Sequence, residues 1–183
     1  MRICITGTSG VGKSAVAKEL GEALGHKVLN EKEFSLKEGI GEFDAAENEI
    51  VVPLEKLEPR LNKLLAKEKN IIVEGHMLCE IKGHFDFVVV LRLNPERLAA
   101  RLELRGYRDE KVQDNVFCEG IDYCKKHALR NYPKGKIIEI ENRKTIKDTT
   151  DLIITGLFLR SKPLKELAKK SKPEKKNKRK VIK

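Results

Sequence analysis

Eight residues near the start of the chain carry its clearest chemical pattern. Residues 7–14 read GTSGVGKS, a match to G-x-x-x-x-G-K-[ST], and lie between an apolar run and a segment with helical spacing. The glycines let backbone N–H groups turn toward phosphate oxygens, and the N-terminus of the following helix adds a favourable dipole. Lys13 would reach the β- and γ-phosphates, and the Ser14 hydroxyl would bind Mg²⁺. The loop therefore predicts a site for ATP and magnesium.

Two further side chains are expected close to this loop. Glu74 ends the third predicted strand, and ligands of open parallel sheets bind outside the carboxyl ends of the strands. Its carboxylate could complete the magnesium shell or orient a water, and a helix-capping or ion-paired glutamate is the alternative. His76 could position a water or a lid residue, and the alternative is a histidine that only packs.

Arginines with a spacing of four residues follow the fourth predicted strand. Arg97, Arg101 and Arg105 would lie along one side of a helix. Phosphoryl transfer is catalysed mainly by positioning and by neutralising charge, and guanidinium groups serve both purposes. Arg105, beside Gly106, is the best candidate for a catalytic arginine, whereas Arg97 is expected to be a solvated charge on the helix surface. Arg92, at the end of a buried strand, could bind a second phosphate group.

The elements that must position these residues alternate along the chain. Short apolar runs predict strands, and segments whose apolar residues recur at helical spacing predict helices between them. Strands are expected at residues 2–6, 26–29, 70–74, 85–93 and 137–141. One long helix is expected from about 112 to 132, and the acidic residues 30–53 predict a short helix and an excursion outside the core. The alternation predicts an α/β fold with a central parallel sheet of about five strands and helices on both faces.

Length and charge divide the chain into two parts. Its 183 residues suit one ordinary domain, expected at residues 1–160. The net charge of +10 resides entirely in residues 160–183, which hold twelve Lys or Arg and two Glu. Residues 161–183 are predicted to be a disordered basic tail that binds polyanions through phosphate contacts. A tail that only improves solubility is the alternative.

Other classes of protein are disfavoured by composition. No apolar run approaches the length of a membrane helix, and the first residues lack the pattern of a signal peptide. The four cysteines show neither zinc-ligand spacing nor the density of a disulfide scaffold. We therefore expect a cytoplasmic protein with reduced thiols and no membrane partner.

Three motifs together resemble a known family. The phosphate loop, EGH at 74–76 and RLELRGYRDEKVQDN at 101–115 are similar in type and spacing to those of the adenylate kinase isoenzyme 6 family. The resemblance covers roughly residues 1–160. It implies a P-loop fold of the nucleoside monophosphate kinase type. Archaeal and eukaryotic members combine nucleoside monophosphate kinase and ATPase activity with late maturation of the small ribosomal subunit.

The resemblance also assigns expected roles to positions of this chain. Residues 30–53 would bind the monophosphate, with AMP the most expected, and residues 104–114 would form a short lid. Magnesium would be held by Ser14 and Glu74, directly or through water. The residues expected to bind ATP are Gly10, Val11, Gly12, Lys13, Ser14, Ala15 and Arg105. The residues expected to act in catalysis are Lys13, Glu74, His76, Arg101 and Arg105.

Three functions remain open at this point. The first is a kinase that moves the γ-phosphoryl group of ATP to a nucleoside monophosphate. The second is an assembly factor in which ATP switches affinity for a small-subunit ribosomal protein, with incidental kinase activity and with rRNA or a pre-ribosomal particle bound by the basic tail. The third is a small-metabolite P-loop kinase such as a shikimate or gluconate kinase.

Overall fold

The computed structural model describes residues 1–45, 49–142 and 145–161. The strands are β1 (Arg2–Thr6), β2 (Lys27–Asn30), β3 (Glu42–Asp44), β4 (Glu49–Val51), β5 (Ile71–Glu74), β6 (Phe87–Arg92) and β7 (Ile137–Glu141). The helices are α1 (Lys13–Leu24), α2 (Glu31–Lys37), α3 (Leu54–Lys67), α4 (Pro95–Glu103), α5 (Asp109–Gly120), α6 (Tyr123–Asn131) and α7 (Ile146–Arg160). Short 3₁₀ turns occupy Met77–Cys79 and Lys134–Lys136.

Five of the strands form one parallel sheet in the order β2-β5-β1-β6-β7. Side chains alternate between the two faces of a strand, so each face of the sheet builds its own apolar core. Cys4 and Val73 contribute to the core under α3 and α6, whereas Ile3 and Ile5 contribute to the core under α1, α4 and α7. The predicted parallel sheet of five strands with helices on both faces is confirmed.

The sheet order brings the loops of the predicted site to one edge. Because the strands are parallel, β1, β5, β6 and β7 all end on the same side of the sheet. The loop after β1 leads into α1, with Gly12 as its N-cap, and Gly25 in the left-handed conformation ends that helix. The residue after β7, Asn142, donates its backbone N–H to the carbonyl of Arg92 at 2.8 Å. This bond holds Asn142 beside the end of β6, and its side chain reaches from there to the Val11 carbonyl in the loop after β1.

The long helix predicted for residues 112–132 is wrong, because α5 and α6 are separate helices. α5 ends at Gly120, and Asp122 adopts a left-handed backbone conformation with φ 60° before α6 begins. The Asp122 carboxylate pairs with the Arg92 guanidinium at 2.6 Å. Glycine is a weak helix former, and this ion pair favours a turn at 120–122 over a continuous helix.

The segment at residues 30–53 is more regular than expected. α2 fulfils the predicted short helix, and β3 and β4 then form an antiparallel pair in which Phe43 faces Ile50. Residues 46–48 and the basic residues 162–183 lie outside the described part of the chain, so the expected disorder of the tail stays a prediction. In the three described ranges, no helix combines the length and apolar character needed to cross a membrane.

Candidate active site

The loop between β1 and α1 is shaped for phosphate binding. Gly10 and Gly12 have φ of 91° and 105°, values that L side chains rarely adopt. A Cβ atom on Gly12 would also lie only 2.8 Å from Nδ2 of Asn142. The loop is followed directly by Lys13, Ser14 and Ala15 in the first turn of α1, where backbone N–H groups lack helical partners. This geometry can surround a chain of phosphates.

Lys13 is held by the loop itself. Its Nζ donates to the carbonyl oxygens of Gly7 at 2.9 Å and Thr8 at 3.1 Å. Burial lowers the pKa of the ammonium group, and the nearby Glu74 carboxylate opposes this effect. The ammonium group can exchange these two carbonyl partners for phosphate oxygens.

Two side chains from other elements hold the loop in shape. Asn142 donates from Nδ2 to the Val11 carbonyl at 2.9 Å, and its Oδ1 accepts from the Thr149 hydroxyl at 3.0 Å. Arg101 donates from Nη1 to the Gly10 carbonyl at 3.1 Å. Sequence reasoning selected Arg101 but missed Asn142 and Thr149. The position of Asn142 directly after the last strand, at the carboxyl edge of the sheet, was the available signal.

Ser14 and Glu74 meet beside the loop. The Ser14 hydroxyl donates to Oε1 of Glu74 at 2.8 Å, and Nδ2 of Asn30 donates to the same oxygen at 2.5 Å. Glu74 is only 3 % exposed, whereas Ser14 is exposed. Mg²⁺ favours a few protein oxygens combined with waters and phosphate oxygens. The donor set of Ser14 and Glu74 fits magnesium, and sequence reasoning missed the supporting role of Asn30.

His76 lies against the loop. Its Nδ1 is 3.1 Å from the Gly7 carbonyl and 3.6 Å from Sγ of Cys124, and its ring stacks near Tyr123. Burial acts to lower the pKa of His76, but the hydrogen bond and the charge of Cys124 outweigh it and raise the pKa overall. The pKa of the Cys124 thiol is lowered, mainly by the hydrogen bond from Cys79 and also by the contact with His76.

A buried glutamate that sequence reasoning did not select lies at the same edge of the sheet as Glu74. Glu31 begins α2, is 2 % exposed and accepts the backbone N–H of Met77 at 3.0 Å. Its carboxylate occupies the space that a side chain at Gly75 would need. Burial raises the pKa of Glu31 to about 7. The contact ties the start of residues 30–53 to the loop after β5.

A cleft of about 430 Å³ lies between the phosphate loop and the expected lid. Ser9 and His76 line one side. The other side is formed by residues at and around the start of α5, namely Arg108, Glu110, Lys111, Asp114 and Asn115. The structure thus places the expected lid opposite the phosphate loop, with room between them for part of a ligand.

The arginines of α4 and its following turn occupy different environments. Arg101 contacts the phosphate loop, and its pKa is lowered by burial first and by Arg105 and Arg97 next. Arg105 is exposed in the turn between α4 and α5, next to Gly106, which has φ 71°. The two predicted catalytic arginines are therefore neighbours, and of the two it is Arg101 that hydrogen-bonds to the phosphate loop in the part of the chain that the structure describes.

Arg92 does not have the environment expected of a phosphate ligand. Its guanidinium pairs with Glu119 at 2.5 Å, with Asp122 at 2.6 Å and with Glu139 at 3.2 Å. The second phosphate site expected at Arg92 stays a prediction, and three carboxylates would compete with a phosphate for its charge. Arg92 joins the end of β6 to α5 and β7.

The chain has the fold of P-loop kinases. It superimposes on a shikimate kinase from Bacteroides thetaiotaomicron with a TM-score of 0.60 and 18 % identity, covering 86 % of this chain and 98 % of that chain. A gluconokinase from Sinorhizobium meliloti 1021 matches with a TM-score of 0.58 and 17 % identity, over 93 % and 97 % of the two chains. At these identities the likeness establishes the fold.

The sequence comparisons define the family. A protein-family model described as "AAA domain" matches residues 3–122. A protein of Methanocaldococcus jannaschii named "Putative adenylate kinase" is 38 % identical over 159 residues, which cover 86 % of each chain. A protein of Thermococcus kodakarensis with the same name is 36 % identical over 155 residues, 84 % of each chain. The chain belongs to this AAA domain family and to the group of relatives that share this name.

Proposed function

We propose that the chain is an adenylate-kinase-like nucleoside monophosphate kinase that converts ATP and a monophosphate, AMP by preference, into ADP and a nucleoside diphosphate. The observation that carries the proposal is the meeting of Lys13, Ser14 and Glu74 at one phosphate loop, with Ser14 Oγ and Glu74 Oε1 2.8 Å apart. The name carried by the relatives supports the same reaction.

The residues of the loop would bind the phosphates of ATP. Backbone N–H groups of residues 10–15 would face the phosphate oxygens, and Lys13 would leave its two carbonyl partners for the β- and γ-phosphates. Ser14 and Glu74 would hold Mg²⁺, which when bound supplies neutralising charge at the phosphates. Each of these groups acts by position and charge, which is what phosphoryl transfer requires.

The arginines and the lid would complete the site. Arg101 is already fixed against the Gly10 carbonyl, so its guanidinium lies beside the loop and can stabilise charge on the transferred group. Arg105 lies on the proposed lid, residues 104–114, and would contact the nucleotide when the lid closes over the cleft. Closure would exclude water and so favour transfer to a monophosphate over hydrolysis.

A second function is supported by His76 and by the basic residues. Nδ1 of His76 is 3.1 Å from the Gly7 carbonyl and its side chain lines the cleft, so it can position a water for ATP hydrolysis. Residues 160–183 carry the whole net charge of +10 and suit contact with rRNA phosphates. This candidate is an ATPase that acts in late maturation of the small ribosomal subunit by transient, ATP-dependent binding of a small-subunit ribosomal protein.

Both candidates are proposed for the cytoplasm. All four cysteines are free, and Cys4, Cys79 and Cys124 are buried. Free thiols of this kind persist where the cell keeps cysteines reduced.

Analysis of the products of ATP turnover with and without AMP distinguishes the candidates. A kinase forms two ADP per ATP only when AMP is present, whereas an ATPase forms ADP and inorganic phosphate without it. Lys13→Met serves as the inactive control for contaminating enzymes. CMP and dAMP test the range of acceptors beyond AMP. Residues 30–53 contain no arginine to hold the phosphate of the acceptor, so the rate with each monophosphate is measured directly. If none of these monophosphates increases the formation of ADP, the kinase is excluded. Turnover with shikimate or gluconate would favour a metabolite kinase.

The ribosomal candidate needs its own measurement. Affinity for a small-subunit ribosomal protein should differ between the ATP, ADP and nucleotide-free states, since a ligand shifts an equilibrium only through differential affinity. Equal affinity in all three states would contradict the switch. Deletion of residues 161–183 should weaken binding to rRNA while ATP turnover stays nearly intact, and loss of turnover would show that the segment supports the fold.

A further inference from the structure

A buried carboxylate on α5 joins three segments of the chain. Glu119 is 1 % exposed. Its Oε1 accepts from Nε of Arg92 at 2.5 Å and from the backbone N–H of Leu93 at 3.1 Å. Its Oε2 accepts from the hydroxyl of Thr8 at 2.6 Å. One side chain therefore connects α5, the end of β6 and the phosphate loop.

The arrangement fixes this carboxylate in place. A buried carboxylate is strongly unfavourable unless charged and polar partners surround it, and Arg92 and Leu93 satisfy one oxygen of Glu119. The Thr8 hydroxyl donates to the other oxygen of this carboxylate. Such charge-assisted hydrogen bonds are short and strong, and this one fixes the side chain of Thr8.

The residue fixed in this way also holds the lysine of the loop. The backbone carbonyl of Thr8 accepts from Nζ of Lys13 at 3.1 Å. Glu119 thus acts on Lys13 through one intervening residue. At its other end, α5 begins at Asp109, inside the proposed lid of residues 104–114. The same helix therefore starts in the lid and ends at the contact with the phosphate loop.

We propose that Glu119 is a positioning residue that couples nucleotide binding at the phosphate loop to closure of the lid, through its hydrogen bond with Thr8. The inference rests on the proposed function, because it assumes that ATP binds at Lys13 and that residues 104–114 close over it. Coupling between two sites is reciprocal. ATP at the loop therefore favours the closed lid, and loss of the contact weakens both ATP binding and the response of the lid.

The test uses the full chain with substitutions at Thr8. Thr8→Val removes the hydroxyl with little change of shape, whereas Thr8→Ser keeps it. Affinity is measured with a fluorescent ATP analogue carrying a methylanthraniloyl group on the ribose. Thr8→Val should bind it roughly tenfold more weakly, the size expected for loss of a hydrogen bond to a charged group. Thr8→Ser and the exposed control Glu103→Gln should stay within about twofold of the wild type.

The lid is followed by limited digestion with trypsin, which can cut after Arg105, Arg108 and Lys111. Saturating ATP should slow cleavage there in the wild type and in Thr8→Ser, and much less in Thr8→Val. A purely structural role would lower the melting temperature but leave protection by saturating ATP unchanged. Circular dichroism checks that each variant is folded, and Glu119→Gln, which disturbs the same contact from α5, should show the same loss of protection if Thr8→Val does not fold.

Each result has one meaning. Weaker binding together with lost protection supports the coupling. Wild-type affinity in Thr8→Val, or weaker binding with normal protection at saturation, overturns it. A wild-type protein that binds no ATP analogue would instead refute the proposed function, which is a separate outcome.

Discussion

Replacing Asn142 by alanine should weaken both the fold and the binding of ATP, because this side chain supports the phosphate loop from outside. Its Nδ2 donates to the Val11 carbonyl at 2.9 Å. The peptide group of Val11 continues into Gly12, and in a trans peptide the N–H of Gly12 points away from the carbonyl of Val11. Holding that carbonyl therefore directs the Gly12 N–H away from Asn142. Asn142→Ala releases this constraint.

The structure sets the size of the effect. The Thr149 hydroxyl loses the Asn142 oxygen but retains an acceptor at the Thr145 carbonyl, 3.1 Å away. One buried acceptor, the Val11 carbonyl, is left without its donor, which costs about 1–3 kcal/mol in the free energy of unfolding. For a domain of this size the melting temperature should fall by roughly 2–4 °C per kcal/mol. The KM for ATP should rise roughly tenfold with kcat changed much less, because the lost contact orients the loop before the reaction begins.

Calorimetric melting and steady-state kinetics measure the two effects, and Asn131→Ala supplies the matched control. Nδ2 of Asn131 donates to the Cys79 carbonyl at the same 2.9 Å but does not contact the phosphate loop. The control should lower the melting temperature without raising the KM for ATP. If Asn142→Ala melts like the wild type, or if both variants raise the KM equally, the assigned support of the loop is wrong.

Four further predictions concern single residues of the site. Glu74→Gln keeps an oxygen for its two hydrogen-bond donors, so the melting temperature should change by less than about 3 °C; turnover in a coupled ADP assay should nevertheless fall roughly 100-fold, because the charge that would hold magnesium is gone, and near-normal turnover would contradict the metal assignment. Gly12→Ala should reduce ATP affinity at least tenfold by calorimetry, because φ 105° and the 2.8 Å approach of a Cβ atom to Asn142 force the loop to shift; unchanged affinity would refute this. The pKa of Glu31 is raised to about 7 from an ordinary value of 4.5, so its contribution to stability is present below pH 4.5 and is lost as the pH rises to about 7; Glu31→Gln should therefore stabilise the protein at pH 8 by up to about 3 kcal/mol and have little effect at pH 4.5, and equal shifts in melting temperature at both values would contradict the titration. Arg105→Ala should lower turnover at least tenfold with a melting temperature within about 1 °C of the wild type, because the side chain is exposed and would act only on the closed site; a large loss of stability would show a structural role.

The predictable part of the structure is the part that local pattern determines. The phosphate loop was recognisable because its glycines, Lys13 and Ser14 are consecutive, and the sheet because buried parallel strands are short apolar runs between helices. The boundary between α5 and α6 was missed because the apolar residues of the two helices have compatible spacing across the turn at 120–122. β3 and β4 were missed because three residues are too few to show the alternation of a strand.

The supports of the site were hidden for a different reason. The contacts of Thr8 with Glu119 and of Val11 with Asn142 join residues that are 111 and 131 positions apart. They form only because the strand order places β6 next to β1 and β7 next to β6, and no local pattern reports that order. Glu31 resembled an ordinary charged residue of a surface helix until the fold placed it against Gly75.

These supports suggest how the work of the site is divided. The loop is held from three directions, by Arg101 at the Gly10 carbonyl, by Asn142 at the Val11 carbonyl and by Glu119 at the Thr8 hydroxyl. A loop fixed in this way meets the phosphates with its N–H groups already oriented, so little reorganisation accompanies binding. The remaining changes are the release of Lys13 from its carbonyls and closure of the lid. Loss of a support should therefore act mainly on ATP affinity, whereas loss of a lid residue should act mainly on turnover, and a set of variants that did not divide in this way would contradict a preformed loop.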